Sequence, residues 1–346
     1  MYDKNAEIVN CTRVKGLLVL FIILYHSMIV FASKSWFRVP EHPSMVLGVI
    51  AQFLNSFHIY TFTFISGYIY YYIRNEKDRY NNITIFIVNK IKRLIIPYIF
   101  VTLVWAIPVY VYFFDVTSED IIVKFLEADS PEQLWFLLML FWVFIIYHVL
   151  SPYINLHYVI GTVMIFMLYF VGVVWDFTLD YFQIFKGMQF ILFFHLGFCW
   201  RKFGEKWGDK IYQIPSIILV VGQVILFVLS VYIGRLNHNF IIKIMDLGIS
   251  TLTHTYGSIS CFIVFQKIVA QKCVKNNRFL TIVSKNGMCM YLFHQQIIYF
   301  VLAVVMNRIP SIVMVVITFV VTTGVSLVVS MILTRFRVTR LLVGEK

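Results

Sequence analysis

KGLLVLFIILYHS, residues 15–27, decides the class of the protein. It is an apolar run with one cation, Lys15, at its start and an imidazole, His26, deep inside it. Runs of about 18–25 apolar residues, the length that crosses a bilayer as a helix, recur along the chain between short charged segments. Composition agrees: 60% of the 346 residues are hydrophobic, 13% are charged and the mean hydropathy is +0.82. A soluble domain carries about a quarter charged residues.

Working outward from the first run, the pattern predicts spans near 14–32, 47–72, 92–114, 133–151, 155–175, 183–201, 214–233, 248–268, 286–306 and 310–334. The expectation is an all-α polytopic membrane protein of about ten transmembrane helices, with one integral membrane domain over residues 1–346. Charge orients it. The segments before the odd-numbered spans and after the last hold 22 of the 29 basic residues, among them Lys15, Lys90, Lys92, Arg93, Arg201, Lys285 and Arg340. Basic segments stay in the cytoplasm, so both termini are expected there. The longest loop on the other side, around Asp115, Glu119, Asp120, Glu127, Asp129 and Glu132, is acidic.

This asymmetry accounts for the net charge of +12 and leaves a nucleic-acid partner without support. Cys11, Cys199, Cys261, Cys273 and Cys289 fall in spans or on the basic side, with no CxxC spacing, so neither a disulfide framework nor a metal site is expected.

Ionisable groups at membrane depth are costly, and each is a functional hypothesis. His26 lies eleven residues beyond Lys15, about three turns and roughly 16 Å along a helix, so the two share a face. In the second span, Gln52, Asn55, Ser56, Thr63 and Ser66 fall within an arc of about 100° on a continuous helix, with His58 at its edge. Lys90, Lys92 and Arg93 cluster at the basic end of the third span. Pro97, one turn further in, frees a backbone carbonyl and favours a kink. Trp135 reads first as an interfacial anchor, and His294, beside Gln295 and Gln296, first as structural.

A buried imidazole can take a proton from a hydroxyl that attacks a carbonyl, or act as the nucleophile itself. Coenzyme A suits the layout: its phosphates need cations at the mouth, and its pantetheine arm can carry a thioester inward. No carboxylate accompanies the intramembrane histidines, which disfavours metal catalysis.

KGLLVLFIILYH (15–26), FHIYTFTFISGY (57–68), KIKRLIIPY (90–98), LWFLLMLF (134–141), FFHLGF (193–198) and MYLFH (290–294) together resemble acyltransferase family 3, the integral membrane acyltransferases, especially its stand-alone sugar O-acetyltransferases. The resemblance runs over almost the whole chain. It implies a ten-helix fold in the bacterial cytoplasmic (inner) membrane. It also implies acyl-CoA (acetyl-CoA by default) as co-substrate, with no permanently bound cofactor, and a cell-envelope carbohydrate or lipid-linked glycan as acceptor. The family's first-helix motif, an arginine followed after ten residues by the essential histidine, maps to Lys15 and His26, with lysine in place of arginine. Its basic RxxR element maps to Lys90 and Arg93, again with one lysine. Without a hydrolase-like domain after the tenth span, the single-component enzymes are the expected relatives.

The resulting expectation makes His26 the catalytic residue and Lys15, Lys90, Lys92 and Arg93 the acyl-CoA entrance. Asn55, His58, Ser66, Tyr68, Trp135 and His294 are added as residues that could line the site. The competing expectation is a transporter or flippase of a glycan or lipid-linked precursor, since polar intramembrane stripes suit both.

Overall fold

The computed structural model describes residues 3–33, 36–129, 131–174, 180–236 and 239–345, and among these the regular structure is helical throughout. The protein is an all-α polytopic membrane protein. The first span is α1 (Lys4–Met28), opened by Asp3, whose side chain caps the amides of Asn5 and Ala6. The second is two helices, α2 (Met45–Asn55) and α3 (His58–Tyr71), broken at Ser56–Phe57. The third is built from α4 (Ile83–Lys90), α5 (Ile96–Val101) and α6 (Ile107–Phe113), joined by π-helical turns at Ile91–Ile95 and Thr102–Ala106. Pro97 and Pro108 follow these turns, where a proline removes the hydrogen bond an α-helix would make.

A short α7 (Ser118–Ile121), closed by a Thr117–Asp120 capping box, crosses the acidic loop. Then come α8 (Trp135–Leu156), α9 (Tyr158–Val174), α10 (Ile184–Phe203), the short α11 (Gly208–Gln213), α12 (Ser216–Ile233) and α13 (Phe240–Ala270). A turn of helix α14 (Lys272–Lys275) leads to α15 (Arg278–Val305), α16 (Ser311–Leu333) and α17 (Arg337–Leu342).

Every expected span is occupied by helix, and eight of these stretches are long and apolar enough to cross a membrane. The other two differ for separate reasons. Helix α9 has 17 residues and is slightly short. Helix α13 has 31 residues, about 46 Å at 1.5 Å per residue, but carries Lys243, Asp246, Lys267 and many hydroxyls. Several of its polar groups bond neighbouring helices: Thr251 Oγ1 pairs with Tyr169 Oη at 2.6 Å, Thr253 Oγ1 donates to the Leu226 carbonyl at 3.2 Å, and His254 Nδ1 bonds the Ser56 carbonyl at 2.9 Å. Lys15 in α1 and Glu345 beyond α17 line one cavity, so both described ends of the chain lie at one end of the bundle. That requires an even number of crossings, so α9 and α13 either both cross or both do not.

Two contacts set the spacing of the core. A Cβ on Gly67 of α3 would collide with the Phe194 carbonyl oxygen, and one on Gly197 of α10 with the Phe64 carbonyl oxygen. The two backbones therefore touch, as small residues allow in membranes.

At the basic end Arg201, 1% exposed, ties α1, α3 and α10 together. Its Nε and Nη2 donate to Glu76 at 2.8 and 2.6 Å, and its Nη1 to the Lys4 carbonyl and Tyr68 Oη at 2.6 and 2.7 Å. Lys4 pairs with Glu76 at 3.3 Å and with Glu205 at 3.4 Å. Buried Glu7 accepts from Trp200 and Tyr212.

The predicted polar arc of the second span does not survive. Gln52 and Asn55 are exposed, whereas Ser56, His58, Thr61, Thr63 and Ser66 are buried. The break after Asn55 interrupts the rotation that a continuous helix would have carried through.

Candidate active site

A cavity of about 410 Å³ opens between α1, α3, the third span, α8 and α15. Its lining follows helical periodicity. On α1 it touches Lys15, Val19 and Ile22; on α3 and the π-helical turn that follows it, Phe62, Ser66, Ile69 and Ile73; on α15, Ser284, Met288 and Tyr291. Continued one turn inward, each of these three faces reaches a histidine: His26, His58 and His294 respectively.

The three imidazoles are held alike. His26 Nδ1 lies 3.0 Å from the Ile22 carbonyl, His58 Nδ1 2.6 Å from the Leu54 carbonyl, and His294 Nδ1 2.6 Å from the Tyr291 carbonyl. A carbonyl only accepts, so each ring carries its hydrogen on Nδ1 and presents Nε2 as an acceptor. His294 Nε2 spends that lone pair on His26 Nδ1 at 3.2 Å, with the rings 4.8 Å apart. The Nδ1 hydrogen of His26 is thus shared between the Ile22 carbonyl and His294. Among the described residues none bonds His26 Nε2, and the ring keeps some accessible surface. His58 Nε2 is likewise unbonded among the described residues, but its ring is buried, so of the three only His26 combines an unbonded Nε2 with accessible surface.

The remaining buried histidines contrast with it. His195 has both nitrogens engaged, Nδ1 with Tyr147 Oη at 2.8 Å and Nε2 with Thr162 Oγ1 at 3.2 Å. His148 bonds Tyr70 Oη at 2.8 Å and stacks on Phe86 at 3.9 Å. These are interhelical fasteners.

The mouth is cationic. Lys15, Lys90, Arg93 and Lys285 line it, with Glu345 the one acid among the described lining residues. Lys90 sits among aromatic rings, its Nζ 3.3 Å from the Phe144 centroid and 5.2–5.3 Å from those of Phe86 and Tyr80. Lys15, Arg93 and Lys285 have no carboxylate within ion-pair distance among the described residues. Tyr80, in the connecting loop, has its phenol raised by burial, with Arg93 and Arg79 opposing the shift, and stays protonated.

Of the other residues singled out in the sequence, Ser66 lines the cavity, while Lys92 is exposed and outside it. Asn55 is exposed away from the cavity, Tyr68 belongs to the Arg201 cluster, and Trp135 packs half-buried against Phe190. Sequence reasoning missed Lys285 and Glu345. Lys285 stands one residue from the α15 face that ends at His294, and that register was the available signal.

Beyond the histidines, away from the basic end, Trp36 packs 6.1 Å from the His26 ring and 5.0 Å from Tyr299. Tyr299 Oη donates to Glu132 at 2.6 Å; Gln295 also bonds Glu132, and Lys124 pairs with it at 2.8 Å. The stretch before α8 is thereby tied to the helix that carries His294. Among the described residues no set of three His, Cys, Asp or Glu side chains is arranged to hold a metal ion.

Fold and cavity define an integral membrane protein in which a cationic mouth leads inward to imidazoles. The chain belongs to acyltransferase family 3: a family model described as an acyltransferase domain matches residues 12–335. It is therefore a membrane acyltransferase. No curated protein and no solved structure matches the chain.

Proposed function

We propose that the protein transfers an acyl group, acetyl by family default, from acyl-CoA to a hydroxyl of a cell-envelope carbohydrate or lipid-linked glycan, with His26 as general base. The observation that carries this reading is the pair of contacts made by His26 Nδ1. Nδ1–H is fixed by Ile22 and His294, which leaves Nε2 unprotonated and unbonded one turn beyond the cavity.

In the proposed step, Nε2 takes the acceptor hydroxyl proton as the oxygen attacks the thioester carbonyl. The new C–O bond forms, the C–S bond breaks, and the imidazolium returns its proton to the departing CoA thiolate. His294 is the positioning residue: accepting from Nδ1 keeps Nε2 in the basic form and supports the charge that develops on the ring. The cations Lys15, Arg93 and Lys285, with Lys90, suit the phosphates of CoA. The positive-inside bias supports a cytoplasmic mouth, as in a bacterial inner membrane. The Trp36–Tyr299 pair near His26 favours a sugar, whose apolar ring face packs on aromatic side chains.

The test is transfer of radiolabel from acetyl-CoA to candidate envelope glycans by the purified protein. Label on the glycan from wild type, absent with His26→Ala, is the expected result. Equal transfer by both proteins would end the assignment of His26. Movement of glycan across vesicles without acyl donor would favour a carrier.

A further inference from the structure

The residues after α16 are built into place. Thr339 Oγ1 donates to the Leu333 carbonyl and Arg340 Nε to the Thr334 carbonyl, fixing α17 against the end of α16. The end of α17 is a Schellman motif: Gly344 N–H donates to the Leu341 carbonyl and Glu345 N–H to the Arg340 carbonyl, with Gly344 at φ +72°. Val343 is fully buried. A Cβ on Gly344 would lie 2.7 Å from the Arg93 carbonyl oxygen, the acceptor freed by Pro97, and 2.8 Å from Pro97 Cγ. The chain reversal can therefore sit here only with glycine at its corner, and it delivers Glu345 into the cavity wall.

The position opposes a negative charge twice. A carboxylate just past a helix C-terminus faces the negative end of the dipole, and burial raises its pKa. Arg93 works in the other direction. Glu345 forms no ion pair within 4 Å among the described residues, so its carboxylate faces the field of the cavity cations without being locked to one of them. An acid there changes the charge that an incoming anion meets.

We propose that Glu345 is a residue of the donor site which repels the phosphates of the carrier, holding down affinity and hastening release of spent CoA. It rests on the reading of this cavity as the acyl-CoA site. Lys15, Lys90, Arg93 and Lys285 attract a phosphorylated ligand, and Glu345 offsets part of that attraction so that the product leaves.

The experiment titrates wild type and Glu345→Gln with CoA and with pantetheine, which lacks the nucleotide phosphates, by calorimetry at low and high salt. Glu345→Gln should bind CoA about fivefold more tightly at low salt, the size expected of one partly screened charge, with the gain shrinking at high salt. Pantetheine affinity should not change, and Glu345→Asp should behave as wild type. Equal or weaker CoA binding by Glu345→Gln, with an unaltered thermal transition, would overturn the inference. Equal tightening toward pantetheine would overturn it too, because the effect would then be one of shape. Failure of wild type and variant alike to bind CoA would instead refute the donor reading beneath it.

Discussion

Two groups of cations sit at the same end of the bundle and are treated oppositely. Arg201 is enclosed, with Glu76 on two of its nitrogens and Tyr68 and the Lys4 carbonyl on a third. Lys15, Arg93 and Lys285 border a cavity with no carboxylate within ion-pair range among the described residues. A buried charge needs compensation, and the first group has it from the protein itself. The second is left to solvent or to whatever anion enters, since Arg93 and Lys285 are exposed and Lys15 is half-buried. Both groups follow from the same positive-inside bias, so charge count alone does not distinguish a fastener from a binding site. What distinguishes them is the partner.

The contrast predicts two kinds of damage. The largest effect belongs to the imidazole one turn beyond the cavity, His26. His26→Ala should lower acyl transfer by about 10³-fold, within the range of general-base catalysis, while the thermal transition in detergent stays unchanged. A melting loss equal to that of a core variant would place His26 among the fasteners.

Arg201→Ala should do the reverse. Removing a buried ion-pair partner costs about 3 kcal/mol of stability, seen as a lowered thermal transition, and the folded fraction should keep its KM for acyl-CoA. A raised KM with normal stability would move Arg201 into the donor site.

Arg93→Ala comes next. Acyl-CoA affinity should fall about tenfold, most at low ionic strength, without loss of stability. Lys15→Arg, which keeps the cation, should be tolerated. The smallest effect is expected of Lys92→Ala: within about 0.5 kcal/mol of wild type in stability, as for an exposed residue, and with donor affinity unchanged. Weaker donor binding by that variant would enlarge the mouth beyond the cavity described here.

These variants also mark what the sequence could express. The spacing of Lys15 and His26 is a property of one helix, and periodicity alone put them on the face that Val19 and Ile22 now continue along the cavity. The helical class followed in the same way from run lengths. The pairing of His26 with His294 joins residues 268 apart in sequence, and no local pattern carries that information. The Arg201–Glu76 pair spans 125 residues and was legible only as one more positive charge. Glu345 carried no local signal, because its place depends on a glycine turn meeting the carbonyl that Pro97 frees. The polar arc of the second span misled for a different reason: it assumed a helix without the break at Ser56–Phe57.

The glycine contact between α3 and α10 carries one more implication. Where two backbones touch, relative sliding meets carbonyl against Cα at once, and that seam is stiff. The third span, which lines the same cavity as α3, carries wide turns at Ile91–Ile95 and Thr102–Ala106. Compliance in the bundle is therefore lopsided. A bulky carrier that has to widen the passage would meet less resistance at the wall bearing Lys90 and Arg93 than at the seam.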